Sequence, residues 1–328
     1  MGHTATSEHA LPPPAVAAVK RQSLFSAYVE LFKVRVSVMV LITAAAGIYL
    51  GRLRSGVSPF DLQSLYAILG IAVVTLGSSA LNQALERRSD ARMMRTRNRP
   101  MVVGPDGFAR ISLPHGLIVG FIAIFGGSLF LAAKTNLLTG TLTLLTAIGY
   151  VAIYTPLKRI TTFNTFIGAF PGALPPLLGW TAARGLIEWP AVALFAVIFV
   201  WQFPHFMAIG WMYRDDYRHG GIRLAATQQP ITWAARSTVF QALFYAVLMV
   251  PTALWTTFLG VTGTPYAIIA TVLSLGYLGF TIRFARILRN PSDPSTRKDA
   301  RNLLTVSVIY LPLLLAAMIL NAQGHLIF

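Results

Sequence analysis

The run Leu65-Tyr-Ala-Ile-Leu-Gly-Ile-Ala-Val-Val-Thr-Leu-Gly-Ser-Ser-Ala-Leu81 is apolar for long enough to cross a bilayer. It passes without a break into Asn82-Gln-Ala-Leu-Glu-Arg-Arg-Ser-Asp-Ala-Arg-Met-Met-Arg-Thr-Arg-Asn-Arg-Pro100. If the helix continues into this second stretch, Asn82, Glu86 and Asp90 recur every four residues. They then drift by about 40° per step and line one stripe roughly 12 Å long. Carboxylates at the end of a membrane helix are costly unless they are paired or hold a cation. Hard oxygen ligands on one face suit Mg²⁺, which commonly bridges one or two carboxylates to phosphates. Arg87, Arg88, Arg92, Arg95, Arg97 and Arg99 add anion-binding charge. The competing reading is a helix end whose charges simply face water. The ordered stripe argues against it.

Outward from this stretch the chain is of one kind. It has 328 residues, 55% hydrophobic and 12% charged, against about 25% charged in a soluble domain. An integral protein of the lipid bilayer is expected. The formal net charge is +16, but the basic residues lie between apolar runs and not along one soluble face, so no nucleic acid partner is expected. There is no cysteine, which excludes disulfides, thiolate metal sites, iron–sulfur clusters, a cysteine nucleophile and covalent haem attachment. Residues 1–22, with Pro12-Pro13-Pro14, read as a disordered cytoplasmic tail without the basic-then-apolar pattern of a cleaved signal. Residues 23–328 then form one membrane domain. The lack of an Arg-rich presequence favours a bacterial inner membrane over a mitochondrial one.

Apolar segments of spanning length fall at about 34–51, 64–82, 112–133, 136–154, 163–183, 189–212, 236–257, 264–284 and 302–322. The predicted fold is all-α: a polytopic bundle of nine transmembrane helices with a cytoplasmic polar cap. On this map 23 of the 27 Lys and Arg lie on the side of the N-terminus, and only Arg52, Arg54, Lys134 and Arg184 lie opposite. The positive-inside rule makes the N-terminus and the long polar loops cytoplasmic, and nine spans leave the C-terminus outside.

The cytoplasmic side also receives Asp215 and Asp216, which follow the sixth span and can converge with Glu86 and Asp90 across a bundle. Alternatively they neutralise Arg214 and Arg218 locally. Tyr154 and Lys158 end the fourth span four residues apart; they suit phosphate oxygens, or form an interfacial Tyr with a snorkelling Lys. Pro156 makes continuous helix geometry there unsafe. Pro171, Pro175 and Pro176 predict a bent fifth span, tolerated in lipid where the freed backbone is buried or lines a cavity. His205, in Trp201-Gln-Phe-Pro-His205-Phe206, lies about 10 Å inside the end of the sixth span. An intramembrane histidine is a functional candidate as proton donor or acceptor or as an iron ligand, or else it closes an inter-helix hydrogen bond.

Two acidic helix ends, nearby Arg and Lys, and an apolar bundle together suit a diphosphate on a long hydrophobic tail. Fixed positive charge that meets a departing diphosphate lowers the barrier to ionisation, and a closed chamber shields a carbocation from water. A secondary transporter with His205 and the fifth span along its path is the alternative of a different class; it fits poorly because the acids lie at one membrane face.

From Val34 to Leu320 the chain resembles the intramembrane prenyltransferase superfamily. The pieces that carry the resemblance are Asn82-x-x-x-Glu86-x-x-x-Asp90-x-x-Met93-x-Arg95-Thr96-x-x-Arg99-Pro100, Tyr154-Thr155-x-x-Lys158-Arg159 and Asp215-Asp216-Tyr217. The Met-x-Arg-Thr-x-x-Arg-Pro extension and Phe203-Pro-His-Phe206 favour its haem branch over relatives that prenylate quinone precursors. The resemblance implies a Mg-dependent transfer of farnesyl from farnesyl diphosphate to a vinyl group of haem b, with water supplying a hydroxyl. It implies Mg²⁺ near Asn82, Glu86, Asp90, Asp215 and Asp216, diphosphate held by Arg95, Arg99, Tyr154 and Lys158, and His205 beside haem. A haem-delivery or haem A synthesis protein is the implied partner. Many members carry a second Asp four residues on in the later acidic region, where this chain has His219 and Gly220.

Overall fold

The computed structural model describes residues 23–105 and 107–323; the tail expected at 1–22 lies outside them. The helices are α1 (Leu24–Leu31), α2 (Val34–Arg54), α3 (Leu62–Asp90), α4 (Leu113–Lys134), α5 (Leu137–Ile148), α6 (Thr155–Leu157), α7 (Asn164–Arg184), α8 (Trp189–Met212), α9 (Arg214–His219), α10 (Ile231–Phe258), α11 (Thr264–Phe284) and α12 (Thr296–Leu320). No strand occurs among the described residues. Among the described residues, eight helical stretches are long and apolar enough to span a membrane, α5 and α6 counting as one through an intervening π-helical turn, Gly149–Tyr154. The chain is an integral membrane protein.

The segment expected as the fifth span is α7, which has the length of a span but falls outside that set of eight. Its prolines, glycines and threonines lower its apolarity, and it can carry them because 13 of its 21 residues are buried against neighbouring helices. It runs as a single helix through Pro171, Pro175 and Pro176. Gly47 of α2 lies against the Pro176 carbonyl and Gly179 of α7 against the Ala44 carbonyl, where a Cβ on either would overlap the opposing backbone. Small residues that let backbones meet are the usual glue between helices in lipid, where apolar burial gives no net drive.

The division between the third and fourth spans falls where expected. Asn136 caps α5 by accepting from the Thr139 amide at 2.9 Å and donates to the Thr181 carbonyl of α7 at 2.9 Å. Asp61 starts α3 in the same way, accepting from the Ser64 amide at 2.7 Å and pairing with Arg52 at 2.7 Å. Capping oxygens meet amides that the first helical turn leaves without partners.

Helices α2 to α5 pack on one another in sequence, with α7 set against α2 and α5; α8, α10, α11 and α12 form the other half. The large core there includes Trp211, Tyr266, Tyr277 and Phe284 and is joined by Trp180 of α7. An aromatic seam ties α7 to α8 and α10: Phe166 to Phe170 (5.4 Å between ring centroids), Phe170 to Phe199 (5.0 Å), Phe199 to Phe203 (5.3 Å) and Phe203 stacked on Tyr245 (3.5 Å).

Candidate active site

Helix α3 continues without interruption from the apolar run to Asp90, so Asn82, Glu86 and Asp90 share a stripe, and all three are buried. Each is met by a cation from a different segment. Lys33 Nζ donates to Asn82 Oδ1 at 2.5 Å. Lys158 Nζ donates to Glu86 Oε1 at 2.6 Å. Arg99 Nη1 donates to both oxygens of Asp90, at 2.8 and 2.7 Å, and stands 3.6 Å from Glu86 Oε2. Asn82 Nδ2 donates to Thr155 Oγ1 at 3.0 Å. Two carboxylates and three basic side chains are thus buried together, a local excess of positive charge that favours an anionic ligand.

The local sequence explains each placement. Lys33 is the one non-glycine residue at positive φ (47°) among the described residues, and makes the sharp turn between α1 and α2. Gln83 fixes that turn by donating to the carbonyls of Glu30 (2.7 Å) and Leu31 (3.0 Å). A left-handed conformation at such a residue persists only where its surroundings enforce it. Pro156 has no amide to continue α5, and the chain relaxes through the wider π turn. Tyr150 and Tyr154 then lie 5.6 Å apart, and Lys158 Nζ sits 4.4 Å over the Tyr154 ring. Tyr154 and Lys158 therefore do share a face, and Gly168 of α7 leaves the space that the Tyr154 ring fills.

Burial, then the neighbouring Arg99, pushes the Lys33 ammonium down to about 7. Burial acts most strongly, to lower Lys158 and Arg99, but Glu86 with Tyr154 and Tyr150 together outweigh it at Lys158, and Asp90 with Glu86 and Tyr150 at Arg99, so both stay above their ordinary values. Opposite charges hold the cluster together against the cost of desolvation.

The second acidic end divides. Asp216 accepts from the backbone amides of Met94 (3.1 Å) and Arg95 (3.2 Å), so the chain after α3 and helix α9 do converge. The Arg95 guanidinium caps this contact, donating to the Tyr217 hydroxyl at 2.9 Å and lying 4.7 Å over the Tyr213 ring. Asp215 turns elsewhere, 3.1 Å from Arg297 and 3.6 Å from Arg218, the local neutralisation that its neighbours made the alternative reading. His205 lies in the α8–α12 contact. Its Nδ1 is 2.7 Å from Ser307 Oγ, its ring stacks on Trp201, and Trp201 donates to the Ser307 carbonyl at 2.9 Å. Among the described residues no acidic or basic side chain bonds to it.

No group of three or more His, Cys, Asp or Glu able to hold a metal occurs among the described residues. The donors in place are amide and carboxylate oxygens on one helical stripe. They fit a hard divalent ion that takes one or two carboxylates and completes its shell from phosphate and water, and do not form an all-protein cage. Lys33, Thr155, Tyr150 and Gln83 were not anticipated as site residues. Tyr150 continues the four-residue spacing of Tyr154 and Lys158 and was open to the same reading. Lys33 and Gln83 act through contacts that only the tertiary fold creates.

Comparison with known proteins identifies the fold and the family. A structure described as digeranylgeranylglyceryl phosphate synthase superposes with a TM-score of 0.70 at 17% identity, covering 92% of this chain and 99% of that one. A UbiA homologue from Archaeoglobus fulgidus bound to GPP and Mg²⁺ gives 0.53 at 14%, covering 89% and 99%. At these identities the likeness is one of fold. The fold class is that of the intramembrane prenyltransferases. The chain belongs to the UbiA prenyltransferase family, which it matches over residues 40–306. Its similar relatives include protoheme IX farnesyltransferases of Koribacter versatilis, 43% identical over 96% of this chain and 98% of that one, and of Solibacter usitatus, 35% identical over 90% and 99%.

Proposed function

We propose that this prenyltransferase moves the farnesyl group of farnesyl diphosphate to a vinyl group of haem b, with addition of water, giving haem O and diphosphate. The observation that carries the reading is the buried pairing of Lys33, Arg99 and Lys158 with Asn82, Asp90 and Glu86. It is supported by the relatives named protoheme IX farnesyltransferase over nearly the whole chain.

In this reading the three cations turn from the acids of α3 to the diphosphate oxygens and stabilise the charge that grows on the leaving group. Asn82, Glu86 and Asp90 are then free to hold Mg²⁺, with Asp216 as the donor facing them from α9. When bound, that ion supplies further positive charge to the diphosphate. Asp215 is left to brace α9 against α12. Arg95 orders the loop above the site, and the Tyr154 ring keeps Lys158 over the mouth. His205 presents an Nε2 without a partner among the described residues and is assigned to the acceptor side. The N-terminus is assigned to the cytoplasm from the distribution of Lys and Arg.

The test incubates purified protein in lipid with farnesyl diphosphate, haem b and Mg²⁺ and identifies extracted pigments by mass. Haem O is expected, and Glu86→Gln and Asp90→Asn should slow its formation at least on the order of a hundredfold while membrane insertion persists. Conversion of 4-hydroxybenzoate in place of haem b would reject the acceptor assignment, and full turnover in both variants would remove the stripe from the chemistry.

A further inference from the structure

A second cationic hollow lies beside this site. A cleft of about 580 Å³ opens between the chain after α6 and the chain after α9, with Arg159, Thr161 and Thr162 on one side and Arg218, Arg223 and Gln228 on the other. No carboxylate lines it; Asp215 approaches Arg218 from outside, at 3.6 Å. The two sides are tied together. Arg223 donates through Nη1 to the Ile160 carbonyl at 2.9 Å and through its amide to the Lys158 carbonyl at 2.7 Å. Asn164, buried beneath, donates to the carbonyls of both Thr161 and Arg223. The Arg159 side chain is exposed and has no polar partner among the described residues.

Consecutive residues therefore serve different places: Lys158 enters the Glu86 cluster and Arg159 enters the cleft. The diphosphate has its cations in the first. The second is far larger than one phosphate requires and lies within the size range of small-molecule sites. Guanidinium forks match carboxylates in bidentate fashion, and an amphiphile with two carboxylates on one edge fits a polar hollow at the end of a membrane bundle. We infer that this cleft seats the two propionate carboxylates of the haem acceptor, so that the opposite, vinyl-bearing edge faces the Glu86 cluster. The inference rests on the acceptor proposed above and adds how it is oriented and selected.

The experiment uses the full chain in lipid nanodiscs and two probes, haem b and its dimethyl ester, followed by Soret titration and by steady-state kinetics. Arg159→Gln removes no hydrogen bond seen in the fold, and its unfolding midpoint is expected to stay unchanged. It should weaken haem b binding several-fold, and together with Arg223→Gln roughly tenfold, about 1.4 kcal/mol. The KM for farnesyl diphosphate should not move. The ester should bind the wild-type and variant proteins equally weakly, and Arg159→Lys should recover part of the loss. Equal haem b affinity in wild type and both Gln variants overturns the inference. So does a rise confined to the KM for farnesyl diphosphate, which would make the cleft a phosphate site. A wild-type protein that neither binds nor farnesylates haem b overturns the proposed function and this inference with it.

Discussion

Replacing Lys158 with Met separates the electrostatics of the site from its shape, since the two side chains are of similar length. Lys158 Nζ stands 2.6 Å from one oxygen of Glu86 and Arg99 Nη1 stands 3.6 Å from the other, and all three side chains are largely buried. With an effective dielectric constant of about 20, a unit pair attracts by roughly 6 kcal/mol at the first distance and roughly 5 at the second. The lysine thus supplies the largest single share of the attraction that offsets the burial of Glu86, ahead of Lys33 and Arg99. Relaxation and water entry absorb some of the loss, and breaking a buried pair from one side costs about 3–5 kcal/mol. Lys158→Met should therefore destabilise the fold by that amount in denaturant unfolding in mixed micelles. Adding Glu86→Gln should restore on the order of 2 kcal/mol, since the buried carboxylate that lost its nearer cation is gone. Strict additivity of the two changes would refute the idea that Glu86 and Lys158 stabilise each other directly.

Two further outcomes follow from the packing and the caps. Gly179→Ala places a methyl group into the Ala44 carbonyl and should cost about 1–3 kcal/mol, whereas Gly126→Ala, where no atom lies within 4 Å of the new Cβ, should be close to neutral; equal midpoints for the pair would remove the backbone contact from the account of the α2–α7 interface. Burial alone would raise the Asp61 carboxyl, but its bonds to Ser64 and the Arg52 charge outweigh this and hold it below its ordinary value. Its contribution to stability should be complete above about pH 4, the unfolded value, and fade as pH falls through the lower folded value. Asp61→Asn should flatten that acid limb of the stability profile measured by thermal melts.

The stripe on α3 was legible because it is local: one helical period applied to Asn82, Glu86 and Asp90 predicts a common face, and α3 runs to Asp90. The division at Lys134 to Asn136 was legible through a capping asparagine of the ordinary kind. The partners of the acids were not. Lys33 meets Asn82 from 49 positions away, and in the sequence it is one more basic residue before an apolar run. Asp215 and Asp216 are neighbours with the same chemistry, and only the rotation of α9 sends one to the Met94 and Arg95 amides and the other to Arg297. Helix α7 was legible as a segment of spanning length at 163–183, but not the burial that lets it carry its prolines and threonines.

That each acid or amide of the α3 stripe is held by a separate segment, the turn before α2, the end of α6 and the chain past α3, has a consequence for how affinity is to be understood. On the proposed reading, donor capture would exchange these pairings for contacts with diphosphate, so a dissociation constant would be a difference between two well-satisfied states. Weakening any of the three clasps alters both sides of that difference. A substitution there can leave affinity nearly constant while the resting protein becomes looser, and only a measurement on the ligand-free form would reveal it.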